Sequence, residues 1–400
     1  MAWIHLGFAK TQVNKAQKAQ AMQYQSTVFG QLLKALPRSR FERLAKSHAK
    51  GRKKRELSPW GHLVAMVFAQ AGGARSLRDL ERLFDRHHGV AAHLGLGKLR
   101  RSTLADANRS RPADLFCNVA TLLACDLSRG RKTGEALHLI DATRILAGKR
   151  MEQWATGGGI KLHVMYEANR AHPVCFAVTP ERVNDITAAH AMPIEPGATY
   201  VFDKGYYHFA FWAKLDAQGC RFVTRLKKNS PATLITEHAV ESGSNILFDK
   251  VVRLSERLMS SNRNPLNRPM RLIGVKISTG REITLVSNDL DSPATAIADL
   301  YKARWQVELF FKWIKQNLKI SHFMGTSRNA VTIQIMAALI AFLLLRIAQK
   351  KANASLGLQA IARLIQPLAL ARRPITDLFF PTPPPTEKLS NQLSLEFNYA

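Results

Sequence analysis

The 400-residue sequence is poor in cysteine, and the few that it has are widely scattered. They are Cys117, Cys125, Cys175 and Cys220, and no two of them form a CxxC pair. This spacing supports neither a structural zinc site nor a disulfide framework.

Long apolar runs are also missing. The most apolar segment, residues 335–345, has 11 residues, whereas a membrane span needs about 20. We therefore predict a buried helix there. Residues 1–25 lack the apolar core and cleavage pattern of a signal peptide. These absences predict a cytoplasmic protein with no membrane partner.

Acidic residues are few compared with basic ones. The chain has 58 Lys and Arg against 29 Asp and Glu, a net charge of +29, while 46% of its residues are hydrophobic. A compact protein with this charge repels itself unless it meets a polyanion. The composition therefore excludes most enzymes of small neutral metabolites and favours a nucleic-acid partner, with an anionic membrane surface as the weaker alternative.

The positive charge is concentrated near the N-terminus. Residues 1–100 contain 19 basic and 5 acidic side chains, and residues 34–55 contain ten basic ones and a single acid, Glu42. This run ends in Arg52, Lys53, Lys54 and Arg55, which we predict to contact DNA. A solvated surface or a flexible arm without a site is the alternative. Because the run lacks interleaved aromatics, it does not resemble a membrane-surface helix.

Helical periodicity and capping signals predict a compact helical unit over residues 26–132, of which a helix-turn-helix is one possible form. Ser39 with Glu42, and Ser76 with Asp79, have the spacing of capping boxes. No recognition helix can be assigned from the sequence.

From residue 136 the pattern changes to short apolar runs of strand length, interrupted by helical stretches at 181–192 and 206–218. The predicted strands are 136–140, 160–166, 174–178, Thr199–Phe202 and 222–226. This order predicts an antiparallel meander followed by parallel strands packed on helices.

A β-rich insertion is predicted at about 230–291, followed by helices at about 295–318 and 330–350. Its predicted strands are Ile246–Leu254, 270–277 and 283–287. The predicted domains are a flexible arm (1–25), a helical DNA-binding domain (26–132), a catalytic α/β domain (133–350) and a C-terminal helix with a Pro-rich tail (351–400).

Three carboxylates are placed to meet in this topology. Asp141 ends the first predicted strand, Asp203 ends the fourth, and Glu308 lies in the helix that should cross the same sheet edge. Buried carboxylates must be neutralised, and hard oxygen ligands select Mg²⁺ or Mn²⁺. Two such ions can drive phosphodiester displacement. Taken singly, each carboxylate is equally well explained as a turn, cap or surface residue.

The helix around Glu308 has a polar stripe. At 100° per residue, Arg304, Glu308 and Lys315 fall within about 40° of one another, with Tyr301 beside them. An apolar arc adjoins this stripe, so we predict the wall of a cleft. A row of surface ion pairs is the simpler alternative.

The spacing Y-x2-R-x3-E-x6-K of this stripe resembles the signature of the DDE transposases of bacterial insertion sequences, family four, the YREK type. Residues 202–206 (FDKGY) resemble the second-aspartate motif of that family, and residues 139–143 (LIDAT) resemble the first. The resemblance covers roughly residues 26–350. It implies an RNase H-like catalytic core, a mixed sheet with flanking helices, carrying the β-rich insertion.

The resemblance also implies the roles of the residues. Asp141, Asp203 and Glu308 would bind two Mg²⁺ or Mn²⁺ ions, Arg304 and Tyr301 would bind phosphate, and Lys315 would steer the strand near the cut. The implied reaction is cut-and-paste transposition by a homodimer on double-stranded element ends and target DNA, without a nucleotide cofactor. The sequence has no P-loop motif, which is consistent with a reaction that needs no ATP.

Some alternatives stay open. An RNase H-like nuclease without strand transfer, or an inactive DNA-binding remnant, would carry the same carboxylates. Some relatives form a DNA hairpin and stack a flipped base on a Trp of the insertion, but no Trp lies between Trp212 and Trp305. Hairpin formation and direct second-strand cleavage are therefore both possible.

Further basic residues at strand ends are candidate DNA contacts. These are Lys161 on the second predicted strand and Arg225 on the fifth. His163 is expected to be structural. Asp185 follows Asn184 at the start of a helix, where the helix dipole accounts for its charge.

Overall fold

The computed structural model describes residues 26–48, 57–146, 148, 151, 153–155, 158–227, 230–255, 264–266, 268–317 and 323–380. The predicted N-terminal arm, the basic run Arg52–Arg55 and the end of the Pro-rich tail lie outside these residues.

The N-terminal part of the described chain is helical, as predicted. Its helices are α1 (Val28–Leu33), α2 (Arg38–Ser47), α3 (Pro59–Ala71), α4 (Leu77–Arg86), α5 (His88–His93), α6 (Arg101–Ser110) and α7 (Asp114–Ser128).

Ser76 is the N-cap of α4, but the predicted capping box around it forms only in part. Ser76 Oγ accepts from the Asp79 backbone N–H at 3.1 Å, and Asp79 in turn accepts from the Arg75 N–H. The other prediction was wrong, because α2 begins before Ser39 and has Pro37 as its N-cap. Glu42 is instead drawn into an ion pair with Arg38 at 2.8 Å.

The catalytic part is built on one mixed sheet. Its strands in the described chain are β1 (Leu137–Leu146), β2 (Gly159–Glu167), β3 (His172–Pro180), β4 (Thr199–Phe202), β5 (Arg221–Arg225), β6 (Ala232–His238), β7 (Ile246–Leu254), β8 (Pro269–Lys276) and β9 (Glu282–Ser287). Helices α8 (Asp185–Ala191) and α9 (Phe209–Asp216) connect β3 to β4 and β4 to β5.

The spatial order of the strands is β3-β2-β1-β4-β5-β9-β8-β7-β6. The first three strands form the predicted antiparallel meander, and β4 and β5 run parallel to β1. This is the order expected of an RNase H-like core. The predicted insertion adds its four strands to the same sheet, because β9 pairs with β5 in antiparallel register.

Helix α10 (Ala294–Ala303) and helix α11 (Trp305–Asn317) replace the single long helix that we predicted. The chain turns at Arg304, whose N–H bonds to the Tyr301 carbonyl only three residues back. Helices α12 (Arg328–Lys351), α13 (Leu358–Leu368) and α14 (Thr376–Phe379) follow.

Helix α12 forms the centre of the fold. Its apolar window has a mean hydropathy of 2.3 and is long enough to cross a membrane, but 89% of it is buried inside the protein. Its neighbours include α3 and α7 of the N-terminal part. The prediction of a buried helix over 335–345 is therefore confirmed.

The N-terminal helices and one face of the sheet share a single hydrophobic core that includes α12. A side-chain contact also joins the two parts, since Asn329 at the start of α12 donates to the carbonyls of Asn108 and Arg111 at the end of α6. The predicted domain boundaries at 132 and 350 stay predictions.

Candidate active site

Asp141 lies in the middle of β1 and not at its end, contrary to our prediction. The parallel pairing with β4 ends at Ile140 opposite Phe202, but β1 continues along β2 as far as Leu146. Asp141 is therefore the first residue of β1 beyond the end of its parallel neighbour.

Asp203 directly follows β4, as predicted, and caps a short 3₁₀ turn. Its Oδ1 accepts from the Gly205 N–H at 2.6 Å. Since Ile140 pairs with Phe202, Asp141 and Asp203 are the next residues on adjacent strands. The sheet topology thus brings the two carboxylates to the same edge.

Glu308 reaches this edge from the first turn of α11. The Arg304 guanidinium links the elements: it lies 2.6 Å from Glu308 Oε1 and 3.4 Å from Asp141 Oδ2. Arg304 is largely buried, and its Nε has no hydrogen-bond partner among the residues that the structure describes. A buried guanidinium N–H without an acceptor can donate a hydrogen bond to an anion that enters the site.

The charge of Asp141 is incompletely compensated. Burial raises its pKa to about 6, and the neighbouring Asp203 and Glu308 carboxylates act in the same direction. The Ala142 N–H and Arg304 oppose this rise but do not cancel it. A carboxylate with a raised pKa is typical of a functional site, because a structural carboxylate normally has enough hydrogen-bond and charge partners to ionise easily.

The donors at this edge are carboxylate oxygens, which suit a hard divalent cation. Among the described residues, however, no three acidic, histidine or cysteine side chains converge closely enough to form a metal-binding group. Arg304 lies between Asp141 and Glu308 and supplies the positive charge that an ion would otherwise bring. The donor set therefore fits divalent ions, provided that Arg304 shifts from Asp141.

A basic cavity of about 790 Å³ lies between the β8–β9 turn and the start of α11. None of the three carboxylates lines it, but Arg304, which contacts Asp141 and Glu308, does. Its charged lining residues are Arg225, Lys276, Arg281, Lys302 and Arg304, with Asp299 as the one acid among them. The aromatic side chains of Tyr301 and Trp305 also line it. A cavity with this charge suits a strand of DNA.

Tyr301 of the predicted stripe lines this cavity, whereas Lys315 does not. Burial raises the pKa of Tyr301, and the Arg304 and Arg225 guanidinium groups oppose that rise. Arg304 stacks over the Tyr301 ring at 5.7 Å. Lys315 is exposed near the end of α11, and desolvation lowers its pKa.

The structure separates the two remaining candidate contacts. Arg225 lines the basic cavity, whereas the Lys161 amine bonds to Asp185 at 2.9 Å and to the Val183 carbonyl at 3.0 Å. Asp185 is thus held by an ion pair in addition to any effect of the helix dipole. His163 is buried and bonds to Thr179 Oγ1 at 2.8 Å, as expected of a structural residue.

Two residues of the site were not singled out by sequence reasoning. Tyr206 is 1% exposed and lies near Asp141 and Asp203. Its hydroxyl has no hydrogen-bond partner among the described residues. Trp305 is 58% exposed beside the basic cavity. Both lie within the quoted motifs, but only the fold shows that one hydroxyl is buried without a partner and that one indole is uncovered.

The site lies inside a region shared with known proteins. Residues 132–344 match the family described as Transposase DDE domain, and residues 24–97 match a family described as a domain of unknown function. A putative transposase, y4zB, of Sinorhizobium fredii (strain NBRC 101917 / NGR234) is 39% identical over 286 residues, or 70% of this chain and 80% of the relative. A probable transposase for insertion sequence element IS5377 of Geobacillus stearothermophilus is 28% identical over 67% of this chain and 74% of its own length.

Among solved structures, the chain is similar to a piggyBac transposase in a synaptic complex with hairpin DNA. That match covers 88% of this chain and 80% of the other at 9% identity, and its TM-score of 0.46 is too low to support an argument about the site. The family match alone covers more than half of the chain and includes all three carboxylates. The protein therefore belongs to the DDE transposases, the metal-dependent enzymes of DNA transposition.

Proposed function

We propose that this transposase carries out cut-and-paste transposition of an insertion sequence, with Asp141, Asp203 and Glu308 as its catalytic carboxylates. The observation that carries the proposal is the raised pKa of Asp141 at an edge where two further carboxylates and a basic cavity meet. A site with this charge pattern suits divalent cations and a DNA strand together.

The reaction that we propose has two steps. Water attacks the phosphorus at each element end, the bond to the 3′ oxygen breaks, and a 3′-hydroxyl is left on the element and a 5′-phosphate on the flanking DNA. The 3′-hydroxyl then attacks a target phosphodiester and displaces the target's 3′ oxygen. Neither step needs a nucleotide cofactor.

The three carboxylates would hold two Mg²⁺ or Mn²⁺ ions. When bound, such ions stabilise negative charge at the phosphodiester and activate the attacking oxygen. Arg304 would exchange its contact with Asp141 for a phosphate oxygen, using the Nε that lacks a partner. Tyr301 would donate to a second phosphate oxygen, and Lys315 would attract the strand along α11.

The basic cavity would extend the DNA path beyond the carboxylates. Arg225, Lys276 and Arg281 approach it from the sheet, and Lys302 approaches it from α10. We propose that the helical unit of residues 26–132 holds the element end. The active form would be a homodimer in the cytoplasm, acting on nucleoid DNA.

The test is a joining assay with purified protein, a labelled duplex from the DNA flanking the reading frame, and a supercoiled plasmid. In Mg²⁺ or Mn²⁺ we expect cleavage at the element end and covalent joining to the plasmid. Cleavage without joining would identify a nuclease, and binding without cleavage an inactive remnant.

The carboxylates are tested by Asp141→Asn, Asp203→Asn and Glu308→Gln, each of which should abolish cleavage while DNA binding is kept. Glu135→Gln is the matched control, because Glu135 is exposed just before β1, at the other end of the sheet from the three carboxylates. Full cleavage by any one of the three variants would contradict its assignment. Calorimetric titration that gives one bound ion in place of two would contradict the two-ion site.

A further inference from the structure

Helix α4 carries a row of arginines on its outer face. Leu77, Leu80 and Phe84 are buried and fix the inner face of the helix. Arg78, Arg82 and Arg86 recur every four residues and are all exposed. At 100° per residue, the centre of the arginine row lies about 180° from the centre of the buried row. The arginines therefore point away from the protein.

These arginines have no charge partner in the described part of the chain. The same helix carries three acids. Asp79 accepts from the Arg75 N–H, and Glu81 and Asp85 lie three residues after Arg78 and Arg82 but form no ion pair with them. These acids offset part of the repulsion within the row, and the three exposed guanidinium groups remain available to a polyanion on this face.

Three other arginines of the N-terminal helices are neutralised within the protein. Arg38 pairs with Glu42, and Arg109 pairs with Asp106 at 2.9 Å. Arg40 is paired with Asp126 at 2.6 Å. Arg43 of α2 and Arg101 of α6 are exposed and form no ion pair in the described part of the chain, but only α4 among these helices places three such arginines on one face.

Helices α3 and α4 are consecutive and are joined by a short turn, and they touch at Phe68 and Phe84, whose rings are 4.9 Å apart. Helix α3 is almost wholly buried, and residues 72–76 form the turn that leads into α4. Gly73 in this turn has φ +75°, a conformation that favours glycine. Four residues rise about 6 Å along a helix, so the row is about 12 Å long. The major groove of DNA is about 12 Å wide and admits a helix.

We propose that α4 is the DNA-reading helix of this transposase, and that it enters the major groove of the element end through Arg78, Arg82 and Arg86. This rests on the proposed function, which supplies DNA as the substrate but does not say which surface selects the ends. Arginine reads guanine with two parallel hydrogen bonds, so the row provides sequence preference as well as attraction to phosphate.

The test compares two triple variants of the full chain. The first is Arg78→Gln with Arg82→Gln and Arg86→Gln. The control removes the same charge from the C-terminal helices, by Lys351→Gln, Arg363→Gln and Arg372→Gln, which are also exposed. Fluorescence anisotropy is measured against duplexes tiling the DNA that flanks the reading frame and against a random duplex of equal length, over a series of salt concentrations.

The α4 variant should lose at least about tenfold of its preference for end DNA over random DNA. The slope of log K against log salt should fall by about 2 to 3, since each phosphate contact contributes about 0.9. The control should keep the preference. If the α4 variant keeps the wild-type preference, or if the control loses as much, the proposal is wrong.

Arg82→Lys sharpens the test, because lysine keeps the charge but not the paired hydrogen bonds. It should keep the salt slope and lose part of the preference; an unchanged preference would contradict base reading by Arg82. Thermal melting confirms that each variant is folded.

The failure of this inference can be told apart from that of the proposed function. Wild-type protein that neither binds nor cleaves DNA would contradict the function. Wild-type protein that cleaves and joins DNA, beside an α4 variant with unchanged preference, would contradict only the assignment of α4.

Discussion

The two ends of the parallel pair β1 and β4 each carry a partly buried acid, and the pKa values of the two acids are shifted in opposite directions. At the C-terminal end of β4, Asp141 lies next to Asp203, and burial raises its pKa to about 6. At the N-terminal end of the same strands, burial of Glu195 favours the neutral acid, but hydrogen bonds from Arg131, His138 and the Gly134 N–H prevail and lower its pKa to about 2.

The geometry explains this contrast. Both terminal nitrogens of Arg131 donate hydrogen bonds to the Glu195 carboxylate, and His138 Nε2 lies 3.1 Å from the same carboxylate. Asp141 has one guanidinium at 3.4 Å, which it shares with Glu308. A fully bonded acid stabilises the fold, whereas an under-compensated acid leaves room for a cation. We therefore read one end as structural and the other as catalytic.

The largest expected effect is on catalysis. Asp141→Asn should lower DNA cleavage by at least about 100-fold, a typical cost of removing one group that stabilises charge in a transition state. Glu195→Gln should leave the cleavage rate within a few-fold of wild type at a temperature where it is folded. Single-turnover cleavage of a labelled end duplex measures both rates. A large loss of cleavage in Glu195→Gln would contradict the contrast between the two ends of the strands.

The next effect is on stability. Glu195→Gln removes a charge from a partly buried cluster and should lower the free energy of unfolding by about 3 kcal/mol. Asp141→Asn should not lower it at pH 7, because that carboxylate resists ionisation in the fold. Urea unfolding of the metal-free proteins gives both values. A destabilised Asp141→Asn variant would mean that Asp141 is also structural.

The pH dependence should have opposite signs at the two ends. The pKa of Asp141 is raised from 3.8 to about 6, so its contribution to stability is greatest below pH 4 and is lost as pH rises through 6, by up to about 3 kcal/mol. The pKa of Glu195 is lowered, so its contribution is present above about pH 4.5 and is lost as pH falls towards 2.

This pH prediction is checked with differences between proteins. In chelator, the unfolding free energy of wild type minus that of Asp141→Asn should decrease from pH 4 to pH 7. The same difference taken with Glu195→Gln should be nearly constant above about pH 5 and shrink as pH falls below that value. A difference for Asp141→Asn that does not change with pH would contradict the raised pKa.

The smallest expected effect concerns the edge of the catalytic end. Trp305 is exposed beside the basic cavity, and an aromatic ring in that position can stack on a base. Trp305→Ala should weaken binding of end DNA by about tenfold. Leu247→Ala is a matched control, since Leu247 is an exposed apolar residue of β7 that does not line the cavity. Equal binding by wild type and Trp305→Ala would remove Trp305 from the DNA path.

Much of this layout could be predicted from the sequence. The meander, the parallel strands and the bounds of Thr199–Phe202 and Ile246–Leu254 follow from apolar runs with clear ends. Strand β6 was not predicted, because it lies at the edge of the sheet and all its residues are exposed, which leaves no alternation of buried and exposed positions.

The site was predicted less completely. The YREK spacing identifies the helix that carries Glu308, but periodicity alone does not reveal that the chain turns at Arg304 or that its guanidinium lies between two carboxylates. Asp141 was assigned to a strand end because its apolar run stops at Ile140, while β1 continues by pairing with β2. Such details depend on strand partners that are distant in sequence.

The most direct test of the account is calorimetric titration of Mn²⁺ into the wild type, Asp141→Asn and Glu195→Gln in the presence of an uncut end duplex. We predict that wild type and Glu195→Gln bind the ion with similar affinity and that Asp141→Asn loses this binding. Binding of Mn²⁺ to Asp141→Asn with wild-type affinity would contradict the claim that the under-compensated end of the sheet is the metal site.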